Sequence, residues 1–290
     1  MGSLQKYCLS LFIVLCVMSS CDNLSNETYY HMSDELRKSK SMEYTALAGL
    51  IERGSPKSMR LLEKAVRLDP NNDRAWRELS LPYLYAGMIK EWNENITKAI
   101  EANPQAWQSW RAHDRMYYFR DYAGALYDLD ATDTLTKNQV DYAQNTSVDF
   151  LRGVCYLGMH DYPKSEEYFN IYIEDERSKV GDKFIDETAF LYLGIISLYK
   201  DRYDEAILYL KRGIKYEDGY ADYHYHLARA YCYLGNNEKA LKETEIALQK
   251  FDDNNHLQGY RYEALEQIYR TQITELRDVL LADSLKLASV

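Results

Sequence analysis

Turn-forming residues are scarce in this chain, with 13 glycines and 5 prolines in 290 residues. That is about half of average usage. A chain so poor in turn-makers is hard to build from many short strands, which disfavours an all-β architecture. Cysteine is scarce too, at 5 residues, too few for a disulfide-built scaffold. Long apolar runs are missing beyond the first twenty residues, which disfavours a polytopic membrane protein. Positive charge is outnumbered: 35 Lys and Arg against 45 Asp and Glu give a net charge of −10. No segregated basic patch offsets it, so a phosphate backbone would be repelled and no nucleic-acid partner is expected. What is plentiful is tyrosine, at 28 residues. With 46% hydrophobic and 28% charged residues, the composition is globular rather than disordered.

The first segment reads as an address. Residues 1–6 carry one positive charge, Lys6, and residues 7–18 are almost wholly apolar. Those twelve residues would span about 18 Å as a helix, short of a hydrocarbon core of about 30 Å. This is the apolar region of a secretory signal, expected over residues 1–20, and not a spanning helix. The string Val17-Met18-Ser19-Ser20-Cys21 resembles the lipobox of bacterial lipoproteins, with Met18 where leucine is commonest. The resemblance implies cleavage before Cys21 and diacylglyceryl transfer to its thiol. It also implies acylation of the new amine. Two or more chains anchor stably where one holds only marginally. The Met-Gly start is no myristoylation signal, because Lys6 occupies the required Ser/Thr position. The alternative is an ordinary secretory signal with Cys21 incidental. Cys155 and Cys232 then remain inside the fold, 77 residues apart, and are expected to be unpaired packing residues. Glycosylation-type triplets at Asn23, Asn26, Asn95 and Asn145 are read as chance behind a lipobox.

Residues 21–32 are polar and lack apolar periodicity, as a flexible tether would. Ser33 followed by Asp34 and Glu35 predicts a helix N-cap with an acidic first turn. From there the chain repeats. Trp76, Leu79, Ser80, Tyr83, Gly87, Ile96, Ala99 and Pro104 follow one another in the order of a known repeat family named below, which has a small residue where Trp92 stands. Ala65 and Pro70 precede Ala99 and Pro104 by 34 residues, and Leu193 and Ala206 precede Leu227 and Ala240 by 34. Gly153, Tyr156, Tyr162 and Phe169 form a further unit, offset by 41 from its successor, which places seven extra residues near 175–183. A degenerate unit covers 105–138 and holds Trp107 and Trp110. The pattern resembles the tetratricopeptide repeat. The resemblance implies an all-α, right-handed α-α superhelical solenoid of about six repeats over residues 33–253. Each unit would be two antiparallel helices brought close by small residues such as Ser80, Gly153, Gly194 and Ala228. Stacking of units would supply the core. After residue 253 the pattern ends. Leu265, Ile268, Tyr269, Ile273, Leu276, Val279 and Leu280 continue at helical spacing, predicting a C-terminal capping helical segment over 254–290. Docking of another protein is the alternative.

Enzyme chemistry is hard to find. His224 and His226 form His-x-His, but residues i and i+2 of a helix point about 200° apart and cannot simply share a metal. Asp128, Asp130 and Asp133 lack the glycine a calcium loop needs. No phosphate loop, nucleophile elbow or His-Glu-x-x-His string occurs. No catalytic activity, metal, cofactor or small-molecule substrate is expected.

In tetratricopeptide proteins the first helices line a concave groove. The resemblance maps that groove here onto Arg74, Arg77, Leu81, Leu84 and Tyr85, then Phe150, Val154 and Leu157. It continues through Leu191, Ile195, Leu198 and Tyr199 to Asp222, Tyr225, Arg229 and Tyr233. Tyr and Arg are the residue types that dominate interface energetics. Arg77 and Leu81 stand where chaperone-docking relatives carry a carboxylate clamp, so that pattern is absent. The expected ligand is an apolar or aromatic peptide or helix. The competing reading is that these residues pack against one another. The functional expectation is a non-enzymatic adaptor on a bacterial envelope membrane, the outer one favoured, binding envelope proteins or peptide segments. The alternative is a permanent subunit of an outer-membrane assembly or secretion machine.

Overall fold

A computed structural model describes residues 32–135, 142–143, 146–181, 185–216, 219–259 and 261–288. Cys21, the signal segment and nearly all of the tether lie outside the described residues. Among the described residues the chain is mostly helical, with one hairpin of two two-residue strands and an irregular segment between the last two helices. It divides into two compact units between Asn103 and Pro104.

The first unit holds α1 (Asp34–Gly49), α2 (Pro56–Leu68), α3 (Asp73–Tyr85) and α4 (Ile89–Ala102). Local chemistry starts each of the first three. The Ser33, Ser55 and Asn72 side chains accept from backbone N–H groups one turn on, and Pro56 opens α2, where its missing donor costs nothing. α1 packs on α2, α2 on α3 and α3 on α4. The contacts are close because the residues are small and polar. Ser41 donates to the Ala65 carbonyl at 2.8 Å, and Asn72 donates to Ser41 at 2.7 Å. Ala65, Ala75 and Ala99 are fully buried, as is Trp92, which fills the place a small residue would take.

The second unit holds α5 (Pro104–Phe119), α6 (Tyr122–Leu135), α7 (Val148–Gly158) and α8 (Tyr162–Val180). It continues with α9 (Thr188–Tyr199), α10 (Tyr203–Tyr216), α11 (Ala221–Tyr233), α12 (Asn237–Asp252) and α13 (Arg270–Ala288). Helices α5 to α12 form four consecutive pairs, and the first helices α5, α7, α9 and α11 each touch the next. Gly153 and Gly194 permit this. A methyl group at Gly153 would meet the Phe169 ring at 2.8 Å, and one at Gly194 would meet Leu210 at 2.6 Å. The extra residues of the fourth pair lengthen α8 to 19 residues. A small antiparallel hairpin, β1 (Tyr142–Ala143) with β2 (Thr146–Ser147), precedes α7; the sequence carried no sign of it.

All six pairs share one turn. The residue two before each second helix has positive φ: Gly54, Gly87, Arg120, His160, Asp201 and Gly235. Glycine takes this left-handed conformation freely, whereas other residues pay about 1 kcal/mol. Only three of the six turns spend a glycine on it.

Asp128, Asp130 and Asp133 find their role here. Asp128 is fully buried and accepts from Arg111, Arg115 and Gln108 at 2.6–3.0 Å. Arg152, itself buried, reaches Asp130, Asp133 and Asp149, and these carboxylates hold its guanidinium charged despite the burial. Cys155 and Cys232 are free thiols. Among the described residues no helix is long and apolar enough to cross a membrane.

One expectation needs correction. The helix of the C-terminal segment starts only at Arg270, so Leu265, Ile268 and Tyr269 are not on it. The described residues of 254–269 form no helix or strand beyond the end of α12, and Asn254, Arg261 and Glu266 take positive φ. Helical spacing lost to tertiary contacts, which are described below.

Candidate binding face on the first helices

The residues mapped to the groove fall into two groups. Leu81, Leu84, Phe150, Val154, Leu157, Leu191, Ile195 and Leu198 each expose 4% or less of their surface. They fill the space between helices, as the packing alternative requires, and offer no surface to a partner. Phe150, for example, lies edge-on to Phe169 and Tyr172 at 5.5 and 5.4 Å. A wide apolar helix face looks the same in sequence whichever neighbour it meets.

The second group reaches the surface. In the first unit Arg74 is exposed, Tyr85 is half-buried, and Arg77 pairs with Glu78 at 2.6 Å. In the second unit Tyr233 is 57% exposed and stacks on Tyr203 at 4.8 Å. Arg229 lies 5.9 Å over the half-buried Tyr225 ring and 3.2 Å from His226 Nδ1. Burial, with Arg229 beside it, holds His226 neutral, its pKa well below the ordinary value. Tyr199 is 39% exposed and stacks on Tyr162 at 5.3 Å. Its hydroxyl donates to Glu266 Oε2 at 2.7 Å. Burial and this carboxylate push the phenol pKa up.

That last contact belongs to a larger arrangement. The segment between α12 and α13 lies on the first helices of its own unit. Near its start, Ala221 N–H donates to the Asn255 carbonyl at 2.9 Å and Leu257 N–H donates to Asp222 Oδ2 at 2.8 Å. Further on, the Tyr262 ring stacks on Tyr117 at 4.6 Å and lies edge-on to Tyr118 and His113 at 5.3 and 6.3 Å. Arg120 donates to the Glu263 carbonyl at 2.6 Å, and the Tyr192 hydroxyl reaches the Leu265 carbonyl at 3.5 Å. Ile268 then returns to α11 and α12, buried with Ala221, Ala247 and Ile273. The segment therefore touches α11, α5, α9 and α11 again.

Asp222 holds the start of this excursion through the Leu257 amide, and its second oxygen, Oδ1, is buried without a hydrogen-bond partner among the described residues. It is fully buried, and burial raises its pKa to about 6 even though the Leu257 and Ile268 amides favour its charged form. Sequence reasoning named Asp222 and Tyr199 but missed His113, Tyr117, Tyr118, Arg120 and Tyr192. The tyrosine surplus was the available signal, and it could not say which rings converge. His224 Nδ1 lies 2.7 Å from Glu243. Among the described residues no group of three or more His, Cys, Asp or Glu side chains is placed to hold a metal ion.

No family model and no curated protein matches the sequence. Solved structures do match. A tetratricopeptide repeat protein from Parabacteroides merdae superposes with a TM-score of 0.52 at 13% identity, covering 83% of this chain and 84% of that one. The fold is the tetratricopeptide-repeat fold. PilW, a type IV pilus biogenesis factor, is a second tetratricopeptide-type match, with a TM-score of 0.55, 17% identity, and coverage of 76% and 94%. Pseudomonas aeruginosa PilF gives 0.54, 18% identity, and coverage of 75% and 99%. At these identities the likeness is one of fold. Tyr199 on α9 and Tyr225, Arg229 and Tyr233 on α11 all lie on first helices of their pairs.

Proposed function

We propose that this chain is a non-enzymatic adaptor, lipid-anchored through Cys21 to a bacterial envelope membrane, with the outer membrane favoured. It holds envelope proteins or peptide segments on the first helices of its tetratricopeptide pairs. One observation carries the reading. The face of α5, α9 and α11 already seats an irregular polypeptide segment, by ring stacking and by hydrogen bonds to main-chain groups. Such contacts are the ordinary means of peptide recognition. The lipid anchor rests on the lipobox-like string ending at Cys21.

A second reading has support of its own. PilW is described as a type IV pilus biogenesis factor, so a permanent subunit of an envelope assembly or secretion machine would also suit this fold. Crosslinking in the native envelope, then affinity purification and mass spectrometry, separates the two. An adaptor yields a defined set of envelope proteins, lost when Tyr199, Tyr225 and Arg229 become alanine. A machine subunit yields a stoichiometric, salt-resistant complex indifferent to those changes. Recovery of nothing specific would sink both. The anchor is tested by intact mass: residues 21–290 plus acyl chains in the wild type, lost in Cys21→Ser.

A further inference from the structure

The segment on the first helices has the marks of a seated ligand rather than of a structural connection. It leaves α11, crosses to α5, and comes back through α9 to α11, so its ends are together while its middle lies on distant helices. A connector from α12 to α13 needs no such path. Its contacts are also those of recognition. A tyrosine ring enters a shelf made by Tyr117, Tyr118 and His113. A guanidinium meets a carbonyl beside a carboxylate, Arg120 lying 3.8 Å from Glu263 Oε2. A second carboxylate, Glu266, takes the Tyr199 hydroxyl.

The segment is also strained. Arg261 and Glu266 hold positive φ without being glycine, a conformation that persists only where surrounding contacts impose it. Residues 261–269 form no helix or strand. The segment's apolar anchors are few, Ala264, Leu265 and Ile268, and segments with few such contacts are the ones that open first.

We propose that residues 261–269 are a built-in occupant of this face, displaced when a partner binds, and that the partner's segment carries the same chemistry. That segment is a peptide that turns on the face, with a tyrosine followed within four residues by carboxylates, as in Tyr262-Glu263-Ala264-Leu265-Glu266. The inference rests on the adaptor reading above and names its partner. Occupancy lowers the apparent affinity for the partner in proportion to the time the face is covered.

Gly259 supplies the test. A methyl group there would overlap the Tyr262 carbonyl and ring, so Gly259→Ala unseats the segment without touching α5, α9 or α11. Tyr262→Ala is the second variant, removing the seated ring and leaving its shelf intact. The probe is a fluorescein-labelled peptide of residues 255–270, titrated by anisotropy into the full chain in detergent. Both variants are expected to bind it about tenfold more tightly than the wild type. A peptide with alanine for Tyr262 should lose that gain.

Hydrogen exchange on the same samples guards the reading. Exchange should quicken in 261–269 while α5, α9 and α11 stay protected. Loss of protection in those helices as well would make the segment part of the core and overturn the proposal. So would equal peptide binding by all three proteins, or a dimer formed by trading segments with no gain in peptide binding. Envelope partners captured equally by wild type and Gly259→Ala would leave the adaptor standing and remove the occupant. Failure of the crosslinking experiment removes the adaptor itself.

Discussion

The two units solve the same packing problem with different polar chemistry. In α1–α4 the polar groups buried between helices are neutral: Ser41, Ser58, Asn72 and Ser80. In the second unit they include Asp114, Asp128, Arg152 and Asp222. Neutral hydroxyls and amides satisfy neighbouring carbonyls at modest desolvation cost. Buried charges cost far more to desolvate and must be matched almost completely. Losing a neutral polar contact in the first unit should therefore cost less than losing a charged partner in the second.

The largest effect is expected where a buried charge loses its partner. Asp128→Ala leaves Arg111 and Arg115, whose side chains expose 12% and 19%, without their shared carboxylate. A loss of about 3–5 kcal/mol is expected, read as a fall in urea midpoint. Lys98→Ala breaks the exposed Lys98–Glu101 pair of the first unit and should cost under about 0.5 kcal/mol. Equal effects would erase the distinction.

Acidity gives the next effect, again in the second unit. Asp222 has a folded pKa of about 6, above its unfolded value of about 3.9. The folded state thus binds more protons between those values, and the contribution is present below about pH 4 and lost as pH rises through about 6. The groups acting on Asp222 are the Leu257 and Ile268 amides and His256. Wild type should lose up to about 2–3 kcal/mol relative to Asp222→Asn between pH 4 and pH 7, in paired melts across that range. Parallel pH profiles would overturn this.

Smaller effects follow from shape. Gly153→Ala sets a methyl group 2.8 Å from the Phe169 ring and should cost about 1–3 kcal/mol by overpacking, seen in chemical denaturation. At the shared turn, Gly87→Ala in the first unit should lose about 1 kcal/mol, because φ is +69° and nothing else lies near. His160→Gly in the second unit, at φ +61°, should gain a similar or smaller amount. Opposite signs at the same turn position would be read directly in melting temperature.

The six turns also mark how far a sequence can be read. Gly87 and Gly235 announced their turns, while Arg120, His160 and Asp201 adopt the same conformation with no residue-level sign. The fold was legible because Ala65 and Ala99, or Leu193 and Leu227, recur at a fixed offset, and close helix contact demands small residues there. The binding face was legible only in part. Leu191 and Tyr199 lie on the same helix, yet one is buried and the other exposed. Contacts between residues far apart in sequence decide which. Leu265 and Ile268 have helical spacing, and nothing local revealed that Glu266 would meet Tyr199 instead.

The contact between Arg120 and Glu263 closes a loop of 143 residues, whereas the helix pairs are built from neighbours. Local pairs form early and distant contacts late. A chain delivered N-terminus first completes α5 to α12 before residues 261–269 are free to settle on them. Every newly made molecule therefore passes through a short age at which its face is bare, and a partner present at that moment meets no competitor.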